Sequence, residues 1–280
     1  MEEGRRRWED LETDCLVKVF ERLGVEDLAA GASLVCRSWR RASLSPECWK
    51  ILDFQRIDFM PWGSFASRFK NQMKAASPLP RLSFRSFLEF AVRRSQRSAV
   101  ELAFPSGCMG MANIDDVVHI ADECPRLEVL VLPKLSPEEE ERVPGLVAKW
   151  SHLRCLEMAR KPCCFLELLT QISFNCRSFE ALKMSSGWIS KEDALTITSL
   201  VPRLKHFGLS NGYICKEEMM VILEGCKELR IFEAVNCIGF AVDEEIEKKA
   251  LGMELFDCRG SKLYYGVGWI ESDEDYIEVL

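Results

Sequence analysis

The chain repeats a triplet of apolar residues at offsets 0, +3 and +5 seven times within its 280 residues. The first positions of the triplets are separated by 28, 26, 26, 25, 25 and 24 residues. A repeat this regular indicates a fold in which similar units stack side by side. The triplets are Ala99/Leu102/Phe104, Leu127/Leu130/Leu132, Leu153/Leu156/Met158, Phe179/Leu182/Met184, Leu204/Phe207/Leu209, Leu229/Phe232/Ala234 and Met253/Phe256/Cys258.

Each unit predicts one short strand and one helix. The last two apolar residues of a triplet alternate as they do in a strand with one buried face. Ile114, Val117 and Ala121 have the spacing of an amphipathic helix, and Ser190 with Asp193 predicts a capping box in a later unit. Such a unit cannot bury its apolar side alone. We therefore expect a curved α/β solenoid with strands on the concave face and helices on the convex face.

The unit length resembles that of leucine-rich repeats, for which roughly 20–29 residues are expected. A cysteine stands three residues before the first apolar position at Cys124, Cys176 and Cys226. This placement resembles the cysteine-containing subtype of the repeat. The fuller consensus has Asn or Cys three residues after the last apolar position, and Cys237 is the one match. The resemblance therefore leaves the turn geometry open.

The sequence of the N-terminal module, residues 8–53, predicts three short helices. Asp14 is expected to cap the first, in which Leu16 and Phe20 share an apolar face. Pro46 ends the helical pattern. The module carries more apolar surface than fewer than 50 residues can hide. We expect part of that surface to contact another protein or the first repeats.

The spacing of apolar and aromatic residues through this module resembles an F-box. The matching positions are Trp8, Leu11, Asp14, Leu16, Val19, Phe20, Leu23, Asp27, Leu28, Leu34, Val35, Cys36, Arg37, Ser38, Trp39, Arg40, Pro46, Trp49, Lys50, Leu52 and Asp53. Glu12 stands where many F-boxes have proline.

The resemblance implies binding to a Skp-type adaptor and, through it, to a cullin–RING core. It also implies that the ubiquitin chemistry lies on other subunits. By position, the expected adaptor-facing residues are Leu11, Leu16, Phe20, Leu34, Val35, Cys36 and Trp39.

Four segments are therefore expected: the F-box at 8–53, a linker with an N-terminal capping helix at 54–98, about seven leucine-rich repeats at 99–265, and an acidic tail at 266–280. The capping helix is predicted from the spacing of Phe84, Phe87, Leu88, Ala91 and Val92.

Composition restricts the partners and the compartment. The net charge of -7 disfavours nucleic-acid binding, which needs a basic surface. The sequence has neither an apolar run of 18 residues nor an N-terminal apolar segment like that of a signal peptide, so no membrane contact is expected. Thirteen cysteines without a secretion signal indicate reduced thiols in the cytoplasm or nucleus.

The sequence predicts neither an enzyme nor a cofactor or metal site. No Cys-x-x-Cys pair occurs, so a zinc set at the usual spacing is not expected. The three histidines fall at unrelated positions in different units. Most cysteines occupy periodic positions of the repeat, where small buried apolar residues are expected.

Residues that alternate with the repeat's apolar positions should point away from the helices and form the target-binding face. Its mixture of apolar and charged side chains favours a protein target over a small molecule. The expected function is substrate recognition in an SCF-type ubiquitin ligase. An F-box scaffold that binds the adaptor without promoting degradation is the alternative. The candidate target-binding residues are Val129, Val131, Glu157, Lys183, His206, Ile231, Glu233 and Asp257.

Overall fold

The computed structural model describes residue 8 and residues 11–60, 62–73, 83–105 and 111–263. The N-terminal module contains helices α1 (Thr13–Phe20), α2 (Val25–Ala30) and α3 (Arg37–Ser43), with short 3-10 helices at Ala32–Leu34 and Pro46–Trp49. The three predicted helices are confirmed.

Helix α1 starts one residue earlier than its expected cap. Asp14 lies inside the first turn, and the N-cap residue, Glu12, makes no side-chain capping bond. The prediction for Asp14 was therefore wrong. An acidic residue within the first turn still interacts favourably with the helix dipole, which explains why Asp14 suits this position.

Among the described residues, eight strands form one parallel sheet, and each is paired with the next strand of this sheet along the chain. They are β1 (Ile51–Asp53), β2 (Glu101–Ala103), β3 (Val129–Val131), β4 (Cys155–Met158), β5 (Ala181–Met184), β7 (His206–Ser210), β9 (Ile231–Val235) and β10 (Leu255–Asp257). From β2 onward the strand register reproduces the predicted repeat spacing, which confirms the stacked strand–helix units.

The sheet starts one strand earlier than expected. Strand β1 lies at the end of the N-terminal module and pairs in parallel with β2, with Leu52 opposite Leu102. The predicted linker holds two helices, α4 (Ser64–Met73) and α5 (Phe84–Ser95). The N-terminal module and the repeats therefore share one sheet.

The units' helices pack along the apolar side of this sheet. They are α6 (Ile114–Glu123), α7 (Pro137–Glu140), α8 (Pro144–Val147), α9 (Phe165–Asn175), α10 (Lys191–Leu200), α11 (Lys216–Gly225) and α12 (Glu244–Ala250). Ser190 and Asp193 form the predicted capping box of α10. A second parallel ladder pairs β6 (Trp188–Ile189) with β8 (Tyr213–Ile214).

Each strand of the large sheet contributes one inward-facing residue to the core. These residues are Leu52, Leu102, Leu130, Leu156, Leu182, Phe207, Phe232 and Phe256, of which all but the last are buried. The rings of Phe207, Phe232 and Phe256 stack with centroids 5.5 and 5.7 Å apart. Equivalent residues of successive units thus pack directly on one another.

The periodic cysteines end the helices. Cys124, Cys176 and Cys226 are the C-terminal cap residues of α6, α9 and α11, and all three are buried. The Cys176 thiol donates to the carbonyl oxygen of Trp150, the residue at the equivalent place in the preceding unit, at 3.4 Å. All described cysteines are free thiols.

No helix in the described part of the chain is long and apolar enough to cross a membrane. The predicted acidic tail, residues 266–280, lies outside the described residues. The structure shows the helical N-terminus and the parallel α/β stack, and the curvature of that stack stays a prediction.

Candidate functional site

The N-terminal module divides its expected adaptor-facing residues between surface and core. Leu11, Leu34 and Val35 are exposed, and the exposed fractions of the last two are 53% and 61%. The 3-10 helix at Ala32–Leu34 produces this exposure, since it turns Ala32 inward and Leu34 outward. Cys36 is half-buried, and its thiol lies 3.0 Å from the Ser38 hydroxyl.

Leu16 and Phe20 are core residues, with exposed fractions of 0% and 1%. They lie on the side of α1 that packs against α3, and the ring of Phe20 contacts half-buried Trp39 edge-on at 5.1 Å. Their assignment as direct adaptor contacts is corrected: they pack α1 against α3. Helix α1 is amphipathic as predicted, but its apolar face packs against α3 of the same chain.

Trp39 also connects the start of the module to its third helix. Its indole Nε1 donates to the carbonyl oxygen of Trp8 at 3.5 Å, and the backbone nitrogen of Leu11 donates to the same oxygen at 3.4 Å. Leu11 and Trp39 are therefore held close together. Exposed Val19 adds apolar surface on the outer side of α1.

The second candidate surface is the sheet face turned away from the helices, here called the open face. Two rows of side chains cross it, and register partners stand next to each other. One row is Ile51, Glu101, Val129, Cys155, Ala181, His206, Ile231 and Leu255. The other is Asp53, Ala103, Val131, Glu157, Lys183, Gly208, Glu233 and Asp257.

All eight candidate target-binding residues lie in these two rows, so the structure brings them together on one face. All except Asp257 are partly exposed. The exception is 8% exposed because the Arg259 guanidinium covers its carboxylate with bonds of 2.6–3.0 Å. These hydrogen bonds lower the pKa of Asp257. Asp257 is therefore one member of an ion pair on the open face, and its contact with a target stays a prediction.

Sequence reasoning missed that Ile51 and Asp53 belong to this face. A signal was present, because Trp49, Leu52 and Phe54 repeat the same triplet pattern 50 residues before Ala99. It was hidden because α4 and α5 double the spacing to the next strand.

Charged pairs occupy the C-terminal half of the open face. The His206 Nε2 lies 2.5 Å from a carboxylate oxygen of Glu233, and Arg259 holds Asp257. Gly208 stands between Lys183 and Glu233, where an added Cβ would lie 3.3 Å from the Lys183 Cγ and 3.7 Å from a Glu233 oxygen. The missing side chain thus leaves room for both neighbours.

One group with metal-ligand chemistry occurs among the described residues. Ligand atoms of Cys215, Glu217 and Glu218 lie within 4.8 Å of one another at the start of α11. The Cys215 thiol donates to the Tyr213 hydroxyl at 3.2 Å, and burial raises its pKa. The group is an exposed acidic helix start.

Residues 8–55 match the family model described as F-box-like. We call the N-terminal module, which this model matches, the F-box-like domain. The chain is 29% identical over 236 residues to an F-box/LRR-repeat protein of Arabidopsis thaliana, covering 81% of this chain and 71% of that protein.

Two further proteins of that plant are similar to this chain. The F-box protein FBW2 is 25% identical over 253 residues, which cover 87% of this chain and 72% of the relative. The putative F-box/LRR-repeat protein 9 is 24% identical over 246 residues, which cover 87% and 93%. The similarity to F-box/leucine-rich-repeat proteins extends along most of the chain, and the predicted resemblance is confirmed.

The matched range includes β1, so the F-box-like domain ends inside the repeat sheet. Aromatic residues pack together where the F-box-like domain meets the first repeat. Trp49 contacts Phe90 of α5 edge-on at 5.7 Å, and Phe54 contacts Phe84 and Phe87 at 5.6 and 5.9 Å. Part of the apolar surface of the F-box-like domain is therefore buried against the first repeat, as expected.

Proposed function

We propose that this protein is the substrate-recognition subunit of an SCF-type ubiquitin ligase. The F-box-like domain binds a Skp-type adaptor, and the open face binds a target protein for ubiquitination by the cullin–RING core. The single observation that supports this most is the combination, in one chain, of exposed apolar residues on an F-box-like domain and a broad sheet face that no described helix covers. The chain itself then contributes recognition, and holding a target near a charged ubiquitin carrier raises the effective concentration of the target lysine.

The adaptor contact is proposed to use Leu11, Val19, Leu34 and Val35, with Trp39 at its edge. An exposed apolar group of this kind marks a protein-binding surface when it is contiguous, and burying each aliphatic side chain contributes about 1.5–3 kcal/mol. Leu16 and Phe20 act indirectly, by fixing the position of these residues.

The test is recovery of recombinant Skp-type adaptor by the full chain and by the variant Leu34→Asp/Val35→Asp. We expect adaptor recovery to fall at least tenfold while the melting temperature stays near that of the wild type, since both side chains are exposed. Leu195→Asp is the matched control, because Leu195 is 51% exposed on α10, outside the F-box-like domain. Equal recovery by the double variant and the wild type would refute the adaptor site.

Target binding is tested with the same double variant in cells. A point variant is preferable to removing residues 1–53, because that deletion would also remove β1 and Trp49 from the shared core. We expect targets trapped by the variant to accumulate and to lose ubiquitin. A trapped partner whose level and ubiquitination are the same with wild type and variant would instead indicate a scaffold that does not promote degradation.

A further inference from the structure

The open face differs in charge between its two halves. Acidic groups in the C-terminal half are satisfied within the chain, as His206 pairs with Glu233 and Arg259 with Asp257. In the half built on β1–β4, called the acidic half-face, the acidic groups are Asp53, Glu101 and Glu157. None of these three forms an ion pair with any lysine, arginine or histidine of the described residues.

Two neighbouring cations, Lys183 and Arg160, form no ion pair with these carboxylates. Lys183 is the register partner of Glu157. Its Cγ lies next to Gly208, on the side toward Glu233, where a Cβ added to Gly208 would be 3.3 Å away. Arg160, just beyond β4, is bonded to Glu140 at 2.7 Å and points toward the carbonyl oxygen of Leu135. Within the described residues, the carboxylates of the acidic half-face therefore have no ion-pair partner.

Apolar residues separate the carboxylates. Ile51, Val129, Val131 and Cys155 are each at least partly exposed in the rows that contain Glu101 and Glu157. Glu101 and Glu157 lie two strands apart, about 10 Å across the sheet at the usual strand spacing. The acidic half-face therefore offers an apolar strip about that wide with a carboxylate on either side.

A bound cation would relieve an unfavourable arrangement. Partial burial raises the pKa of Glu101, and the nearby charge of Asp53 raises it further. A positive group placed between them would offset both effects, whereas an acidic partner would add repulsion.

We propose that the acidic half-face binds an extended target segment that presents lysine or arginine side chains beside apolar ones. The basic groups bond to Glu101 and Glu157, and the apolar side chains cover Val129 and Val131. This inference rests on the proposed function, since it names the chemistry of the target that the open face would hold.

The test uses a displayed library of random 12-residue peptides, selected on the full chain bound to recombinant Skp-type adaptor. We expect selected peptides to be enriched in lysine or arginine next to valine, leucine or isoleucine. Their binding should weaken at least tenfold in Glu101→Gln/Glu157→Gln and should also weaken as salt concentration rises. Glu233→Gln is the matched control, because it removes a carboxylate of the same face that His206 already occupies, and it should bind the peptides as the wild type does.

Adaptor recovery and melting temperature of both variants should equal those of the wild type, which separates this effect from misfolding. Selection of no peptide, of peptides without basic enrichment, or equal binding by Glu101→Gln/Glu157→Gln and wild type would overturn the inference. If acidic or neutral peptides are selected and Val129→Asp abolishes their binding, the open face remains a target site. In that case only the preference for lysine or arginine is rejected.

Discussion

Buried cysteine side chains make hydrogen bonds between successive units. The buried Cys176 thiol bonds to a carbonyl of the preceding unit, and the Cys237 thiol does the same with the carbonyl oxygen of Leu209 at 3.5 Å. A small, weakly polar side chain fits such a site because it fills space and satisfies a buried acceptor. The periodic cysteines are therefore structural residues, and their chemistry differs from that of the surface thiols.

Alkylation should separate the two kinds of cysteine. Burial raises the pKa of Cys124 to about 12 and that of Cys176 to about 11. At pH 8 about one thiol in a thousand, or fewer, is then ionised, and thiolate is the reactive form. We expect iodoacetamide at pH 8 to label exposed Cys15 and Cys163 first, as followed by peptide mass spectrometry. In urea-unfolded protein all should react alike. Labelling of native Cys124 as fast as Cys15 would contradict the assignment.

At the scale of elements, helices of adjacent units approach closely enough to require glycine. Gly225 ends α11, and a Cβ built on it would overlap the side chain of Thr198 on α10. Packing of this density cannot absorb an added methyl group without moving a helix. The close spacing of these helices thus depends on one missing side chain.

The substitution Gly225→Ala should lower the free energy of unfolding by about 1–3 kcal/mol through this overlap. Gly145→Ala is the matched control: Gly145 also lies in a helix, α8, and its added Cβ would have no neighbour within 4 Å. The control should be neutral, or more stable by up to about 1 kcal/mol from helix propensity. Urea unfolding followed by circular dichroism measures both, and unchanged stability of Gly225→Ala would rule out the steric constraint.

The whole molecule has one continuous core that extends from the F-box-like domain through the repeats. At their junction, Phe87 is surrounded by the rings of Phe54, Phe59, Phe65 and Phe69 at centroid distances of 4.8–5.9 Å. Strand β1 adds backbone pairing across the same boundary. We therefore expect the F-box-like domain and the repeats to unfold as one cooperative unit.

The variant Phe87→Ala should cost about 3–5 kcal/mol, as expected for a fully buried aromatic residue. Hydrogen exchange should show α1, α5 and β2 losing protection at the same urea concentration, since they share the core. Phe174→Ala is the control, because Phe174 is 78% exposed on α9 and its loss should change stability by less than about 0.5 kcal/mol. Loss of protection in β2 while α1 stays protected would show two independent units.

The repeat could be predicted from sequence because each strand must bury one residue against its neighbours, which imposes the period directly on the chain. Leu102, Leu130 and Leu156 show this, as they are register partners at the predicted spacing. The same reasoning placed the eight target-face candidates in two adjacent rows. It missed β1, because the two helices that follow this strand double the spacing to the next strand.

The sequence by itself determined the type of each repeat unit, its register and the F-box-like character of the N-terminus. Only the tertiary structure decided which apolar residues reach the surface: Leu16 and Val19 both lie on α1, yet one is core and the other exposed. It also decided which charges are paired: Arg259 covers Asp257, whereas Glu157 has no ion pair among the described residues. The physical reason is that periodicity shows that a side chain needs a partner, whereas the identity of that partner depends on how the helices and strands pack.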